Sequence, residues 1–547
     1  MYLVLILFYV TYSLTNNVPE VHIKLGKISG YHKSSVNGRT FSAFEGIPYA
    51  QPPLGDLRFE APQPISPWNT TLNATTLYVC KQMKSIYSIL DRYKNEHEDC
   101  LYLNVYVPNQ QPTENDNFDV IVNIHPGAFQ CGDAALASPV YIMDRNIVYV
   151  NVNYRLGILG FLSTEDAFIP GNNGLKDQQL ALRWIQAHIK KFGGNPKSVT
   201  LVGESAGGAF VHFHYLSPKS WGLFHRGISI SGNALMPWAI QKDALGKSKK
   251  LAALLNCAYT TRKEMIDCLK VIPVDEIISS SSNFYIIPNH PVTPFGPVVE
   301  SKSEHSFITE HPYRLLEEGR INHVPWLSLI AGNEGAMFTT IFYLPGSLEE
   351  MDENWDELFP YISFLGEGDN TKVAQKIKYF YFQNESLSQS NFYKYEKLIG
   401  DRCFNVGFET AVTMQANVSK SSVYAGVYNY SAAAISYGKV LGFDVKVVTH
   451  GDCTVLIFGF PFEMNASDRK LSKSDELMKN MLLDCLTSFA SDGKPRTKEV
   501  SWEPVTTDTF KCLLIRDVDD MNMEENIELS PRKFWKDLFE KYSATLM

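Results

Sequence analysis

The chain has 547 residues, 45% of them hydrophobic, and a formal net charge of −9. That is enough apolar sequence for a large core without a disulfide or metal scaffold, and length alone allows about three or four domains. The acidic balance argues against nucleic acid or an anionic membrane as a main partner. The longest basic cluster, Lys247-Ser248-Lys249-Lys250, reads as a solvated helix face.

Residues 1–15 read as a signal peptide, with the apolar run Leu3 to Val10 at their centre and Asn16-Asn17 after them. That run is too short to span a bilayer, and the last residues, Tyr542 to Met547, form no hydrophobic anchor. Secretion of a protein comprising residues 16–547, with no membrane anchor, is the expectation. The sequons at Asn69, Asn73, Asn384, Asn417 and Asn465 are expected glycosylation sites. A further sequon, Asn429, is read as lying in the strand-like run Val423 to Tyr428, so poor accessibility and no glycan are expected there. The nine cysteines are too few for a disulfide scaffold, and an odd count leaves at least one free. No C-x-x-C, H-E-x-x-H or other zinc-type spacing occurs, so no metal and no cofactor is implied.

In chain order, Val21–Leu25 and Lys27–Gly30 form an N-terminal hairpin around Gly26. Phe44 to Gly55 is so rich in Pro and Gly that a fixed loop is expected. Leu101–Val107 alternates as a strand, and Val120–Ile124 and Ile147–Val152 are apolar runs suited to a parallel sheet buried on both faces. Asp177 to Phe192 is the clearest helix, with Ala181, Trp184, Ile185, Ile189 and Phe192 on one face and Gly193-Gly194 and Pro196 stopping it. Strands are expected at Ser198–Val202, Gly227–Ile230, Leu327–Ile330 and Val445–Val448, and a last helix starts at Pro531. Strands alternate with helices and no repeat or linker interrupts them, so one large α/β domain is expected over residues 16–547.

The strand Ser198–Val202 leads into Gly203-Glu204-Ser205-Ala206-Gly207, the G-x-S-x-G pattern of a nucleophile elbow. A serine in a strained strand-to-helix turn exposes Oγ, and glycines on both sides leave room for the close approach. Alone the pattern is weak, since a chain of this length would match it by chance roughly 0.1–0.2 times. A serine also needs a base, a group to orient that base, and donors for an oxyanion. After the strand Val120–Ile124, the loop His125-Pro126-Gly127-Ala128-Phe129 offers the N–H groups of Gly127 and Ala128, and Ala206 offers a third. Of thirteen histidines, His450 is best placed as base, following Val445–Thr449 and opening His450-Gly451-Asp452. Glu334, just past the strand Leu327–Ile330, is the expected acid. The order Ser205, Glu334, His450 is the one this hydrolase arrangement requires.

Four stretches are diagnostic together: Phe44 to Ala50, Glu98 to Val105, Asn153 to Gly157, and Phe192 to Pro196 running into the Gly203–Gly207 elbow. Through them the sequence resembles the type-B carboxylesterase/cholinesterase family, most closely the secreted insect-type carboxylesterases, over roughly residues 20–540. The resemblance implies an α/β-hydrolase fold with a large, mostly parallel central sheet flanked by helices. It implies a serine carboxylesterase acting on small carboxylic esters through an acyl-enzyme, with monomer or homodimer left open. It puts Ser205, Glu334 and His450 on the family's triad positions and Gly127, Ala128 and Ala206 on its oxyanion hole. Ser231 and Asp401 fall on positions that support the histidine. Disulfides Cys80–Cys100 and Cys257–Cys268 are implied, while the cholinesterases' third bridge is missing because Arg532 stands where its second half would be. Cys131, Cys403, Cys453, Cys485 and Cys512 are then free and mostly buried.

Departures from the family narrow the substrate. Lys81 to Asp99 contains no Trp, where cholinesterases hold quaternary ammonium by cation–π attraction. Glu204 stands where juvenile hormone esterases usually carry Gln. Pro291 to Gly296 has fewer aromatics than the cholinesterase acyl pocket, implying a roomier acyl side. Phe338, Phe342 and Tyr343 read as core or gorge lining. The alternatives are a juvenile hormone esterase, a lipase-like hydrolase and, from another class, an inactive neuroligin-like adhesion protein; that last reading requires a broken triad, which this sequence does not have.

Overall fold

The computed structural model describes residues 18–85, 88, 91–257, 260–287, 292–343, 346–366, 370–433, 436, 447–459 and 471–546. The expected signal peptide and the Asn465 sequon lie outside them. Eleven strands form the main sheet. In chain order they are β1 (Tyr31–Ser34), β2 (Thr40–Pro48), β3 (Tyr102–Val107), β4 (Phe118–Ile124), β5 (Ile147–Val152), β6 (Gly194–Glu204), β7 (Arg226–Ile230), β8 (Trp326–Ala331), β9 (Val423–Tyr428), β10 (Lys511–Ile515) and β11 (Met521–Glu525). Their spatial order is β11-β10-β9-β8-β7-β6-β4-β5-β3-β2-β1. Every pairing from β5 through β4, β6, β7, β8 and β9 to β10 is parallel, and the pairings outside that block are antiparallel. The N-terminal hairpin, Glu20–Ile23 with Gly26–Ser29, stands beside the sheet.

The parallel strands are continuous apolar runs because both faces are covered. In β4, Val120, Val122 and Ile124 join one core cluster and Ile121 the other; in β5, Val148, Val150 and Val152 oppose Ile147 and Tyr149. Alternation with period two is the reason. The helix expected at Asp177 begins earlier, at Asn173, and runs to His188 before a 3-10 turn to Phe192. Gly193, at φ 81°, ends it. Its residue Asp177 is fully buried and held by a two-pronged ion pair, Arg155 Nε to Oδ2 at 2.8 Å and Nη2 to Oδ1 at 2.7 Å.

Three readings of the sequence are corrected. Phe44 to Pro48 is not loop but the second half of β2; a bulge between Phe44 and Ile47 takes up Gly46 at φ 83°, whose N–H donates to Asn104 Oδ1, and Pro48 stands at the strand's end, where it interrupts no ladder. Of the expected strand Val445–Val448, the first two residues lie outside the described set, and Val447-Val448 are not strand. Asn429 is exposed, not sequestered, because β9 ends at Tyr428. Asn69, Asn73, Asn384 and Asn417 are exposed as well.

Both implied disulfides are present, Cys80–Cys100 and Cys257–Cys268, and the other five cysteines are free, all but Cys131 buried. No helix of the described residues is long and apolar enough to cross a membrane.

Candidate active site

The C-terminal ends of β4, β6, β7 and β8 open on one side of the sheet, and each is followed within three residues by a residue singled out above. Open α/β sheets place ligands at that edge. β6 ends at Glu204, the helix Ala206–Leu216 begins at once, and Ser205 between them sits at φ 55°, ψ −123°. This is strained for a residue with a Cβ. The glycines explain how the turn closes. A Cβ on Gly203 would lie 2.3 Å from the Gly207 carbonyl, and one on Gly207 would lie 2.1 Å from the Ile124 carbonyl. The strand, the helix and the end of β4 therefore meet backbone to backbone. Ser205 N–H donates to Ile230 O at 2.8 Å, which ties the elbow to β7.

Beyond β4 the chain makes a tight loop. Gly127, Ala128 and Phe129 all have positive φ, at 121°, 54° and 64°. The bend is held by Gln130 N–H and Cys131 N–H on Gly127 O and by Gly157 N–H on Phe129 O. The buried Phe129 ring packs on Phe210 of the elbow helix and on Trp238. Among the described residues, the N–H groups of Gly127, Ala128 and Ala206 have no backbone acceptor. Unpaired donors at the mouth of a helix are what an incoming oxyanion uses.

Glu334 and His450 are brought together by a single parallel bridge between Asn333 and Thr449, with Asn333 N–H donating to Val448 O. One residue on from each, His450 Nδ1 meets Glu334 Oε2 at 2.6 Å, and both side chains are buried. The other Glu334 oxygen accepts from Ser231 Oγ at 2.5 Å and from Ala331 N–H at 2.6 Å. With Glu334 on Nδ1, that nitrogen carries the proton and Nε2 is the basic face. Nε2 lies 2.9 Å from Glu204 Oε1. At that distance Glu204 acts on the ring chiefly as a neighbouring charge. Burial opposes a charged imidazole, but Glu204 and Glu334 together outweigh it and raise the His450 pKa well above its ordinary value. The rings of Phe338 and Phe404 each stand 5.0 Å from the imidazole and close it off from water.

Asp401 does not join this cluster. It begins a π-helical turn, Asp401–Asn405, and its carboxylate accepts from Tyr381, Lys397 and Asn405. The helix before it, Phe392–Gly400, packs closely beside Glu334 instead: the site a Cβ would take on Gly335 lies 1.9 Å from the Glu396 carbonyl. Two contributors were not anticipated in the sequence as partners of His450. Glu204 was in view as the last residue of β6, next to Ser205, at the sheet edge where His450 was expected. Phe404 could not be anticipated, because nothing local links it to residue 450. His125, beside the loop glycines, is buried against Tyr154, and burial lowers its pKa to about 4, so it stays neutral at physiological pH.

The family model described as the carboxylesterase family matches residues 17–535. The chain belongs to the carboxylesterase family. It is 39% identical to venom carboxylesterase-6 of Apis mellifera over 98% of this chain and 97% of that protein. It is 38% identical to esterase FE4 of Myzus persicae, covering 90% and 87%, and 33% identical to juvenile hormone esterase of Tribolium castaneum, covering 96% and 93%. Among solved structures it is similar to juvenile hormone esterase from Manduca sexta with OTFP covalently attached. That match has a TM-score of 0.85 and 25% identity over 96% of this chain and all of that one. This carboxylesterase is thus an α/β-hydrolase and a carboxylic ester hydrolase acting on small esters.

Proposed function

We propose that the protein is a secreted serine carboxylesterase, residues 16–547 forming its single domain after removal of a signal peptide. Ser205 Oγ attacks the ester carbonyl while His450 Nε2 takes its proton. Glu334 holds the ring's other nitrogen and stabilises the imidazolium. The N–H groups of Gly127, Ala128 and Ala206 receive the charge that develops on the carbonyl oxygen. His450 then gives its proton to the departing alcohol, and water clears the acyl-enzyme by the same steps. Ser231 positions Glu334, and glycans are expected on the exposed sequons Asn69, Asn73, Asn384 and Asn417.

The observation that carries this reading is the 2.6 Å contact between His450 Nδ1 and a fully buried Glu334, at the same sheet edge as the Gly203–Gly207 elbow. A buried carboxylate on one imidazole nitrogen serves to set the tautomer and basicity of the other. Ser205→Ala, assayed with p-nitrophenyl butyrate, is expected to lose on the order of 10⁶ in kcat. Turnover within tenfold of the parent would overturn the assignment.

The Tribolium and Manduca relatives favour juvenile hormone esters as a second substrate reading. Against it, Glu204 puts a negative charge beside the nucleophile where those enzymes usually have a neutral amide. Comparing kcat/KM for a juvenile hormone analogue with that for simple aliphatic esters decides between them.

A further inference from the structure

The loop carrying Gly127 and Ala128 is strained, and something must hold it. Left-handed backbone at Ala128 and Phe129 persists only where the surroundings over-determine it. From inside, Phe129 packing and the Gly127 and Phe129 carbonyls fix its first half. Its exit is fixed from outside, by a residue the reaction does not otherwise involve.

That residue is Gln82. Its carboxamide pairs with both backbone groups of one residue: Nε2 donates to Gly132 O at 3.0 Å, and Gly132 N–H donates to Oε1 at 2.8 Å. Nε2 also donates to Cys80 O at 2.9 Å, so the buried amide spends both kinds of hydrogen bond on backbone. Gly132, at φ 112°, is where the loop folds back on its own start, since a Cβ there would lie 2.5 Å from the His125 ring and 2.6 Å from Pro126 O. Gly127 interlocks with the same segment, because its Cβ would lie 1.9 Å from Cys131 O. The next residue, Asp133, is fully buried and paired with Arg92 at 2.8 Å. Gln82 and Arg92 both belong to the loop closed by Cys80–Cys100.

We propose that Gln82 is a positioning residue for the oxyanion loop. By matching the donor and acceptor of Gly132 as a neighbouring strand would, it holds the Gly127 and Ala128 N–H groups where the transition-state oxygen forms. Arg92 on Asp133 braces the adjacent residue, and the disulfide ties both to β3. Gln82 itself touches no substrate. The inference rests on the oxyanion role assigned to Gly127 and Ala128 above.

The test uses the full-length chain, with active sites counted by a stoichiometric burst of p-nitrophenol from diethyl p-nitrophenyl phosphate. Per counted site, Gln82→Ala is expected to lower kcat for p-nitrophenyl acetate about 10- to 100-fold with KM within about twofold. Affinity for a trifluoromethyl ketone, which forms a tetrahedral oxyanion on Ser205, should fall by the same factor. Affinity for the matching methyl ketone, bound without that adduct, should not change. Gln82→Glu keeps the acceptor and loses the donor, so it should fall between Gln82→Ala and the parent. Unchanged turnover per counted site overturns the proposal, as does a rise in KM with kcat preserved. If Gln82→Ala yields no folded protein, the Gln82→Glu kcat and ketone ratios decide alone. Failure of the serine-esterase reading is distinguishable, because the parent enzyme would then give no burst, and failure of the oxyanion role alone would show in the parent itself, as trifluoromethyl and methyl ketones bound with equal affinity.

Discussion

Replacing Glu204 by Gln should move the acid limb of the pH–rate profile, and the structure sets the sign. Glu204 Oε1 lies 2.9 Å from His450 Nε2, with both side chains buried. Two unit charges at that distance attract by about 6 kcal/mol at an effective dielectric of about 20, which is an upper bound before either group's desolvation is charged against it. One adjacent charge ordinarily displaces a pKa by about 1–3 units. Glu204 favours the imidazolium and so raises the His450 pKa, together with Glu334 and against burial. A general base must be neutral, so activity is present above that pKa and lost as pH falls through it. Removing the Glu204 charge lowers the pKa, and the acid limb of kcat/KM should move toward lower pH by about 1–3 units. The assay is kcat/KM for p-nitrophenyl acetate across about pH 5 to pH 11, corrected for spontaneous hydrolysis, so that it spans the parent limb, which the raised His450 pKa puts at about 10. A limb that stays in place, or moves to higher pH, would refute the electrostatic coupling.

Glu334→Gln should keep the fold but disturb the imidazole tautomer, lowering kcat by on the order of 10⁴ at unchanged KM; steady-state kinetics on the purified variant is the check. Gly207→Ala places a Cβ 2.1 Å from the Ile124 carbonyl with backbone on both sides, so a loss of about 3 kcal/mol or more is expected in urea unfolding, and parent-like stability would contradict the packing. Arg155→Met leaves the Asp177 carboxylate buried and unpaired, which should destabilise by about 3–5 kcal/mol in the same measurement. Removing the Cys257–Cys268 bridge by a double Ser substitution should cost about 2–3 kcal/mol, read as a lower Tm without a change in kcat.

What could be read from the sequence was what neighbouring residues decide. The runs Val120–Ile124 and Ile147–Val152 announce strands buried on both faces, and Gly203 to Gly207 announces a turn that only glycines permit. The disulfides came from family resemblance and are present. What could not be read was set by distant partners. Phe44 to Pro48 looked too broken for a strand, yet pairing with β3 and a bulge at Gly46 carry it through. The apolar run before His450 suggested a strand, whereas the histidine is placed by one bridge to Asn333, more than a hundred residues earlier. Asn429 was misread by one residue, since the end of β9 separates a buried Tyr428 from an exposed asparagine. Asp401 aligns with a supporting position, but its π-helical turn directs the carboxylate to Tyr381, Lys397 and Asn405. The second carboxylate on His450 was in view as Glu204, and only the geometry connected it to the ring.

The most direct test of the account is to treat the parent enzyme with diethyl p-nitrophenyl phosphate and map the adduct by peptide mass spectrometry. One diethylphosphoryl group per chain is expected, on the peptide containing Ser205, appearing at the rate at which esterase activity disappears. Label on any other residue, or unchanged ester turnover after Ser205 is fully modified, would contradict it.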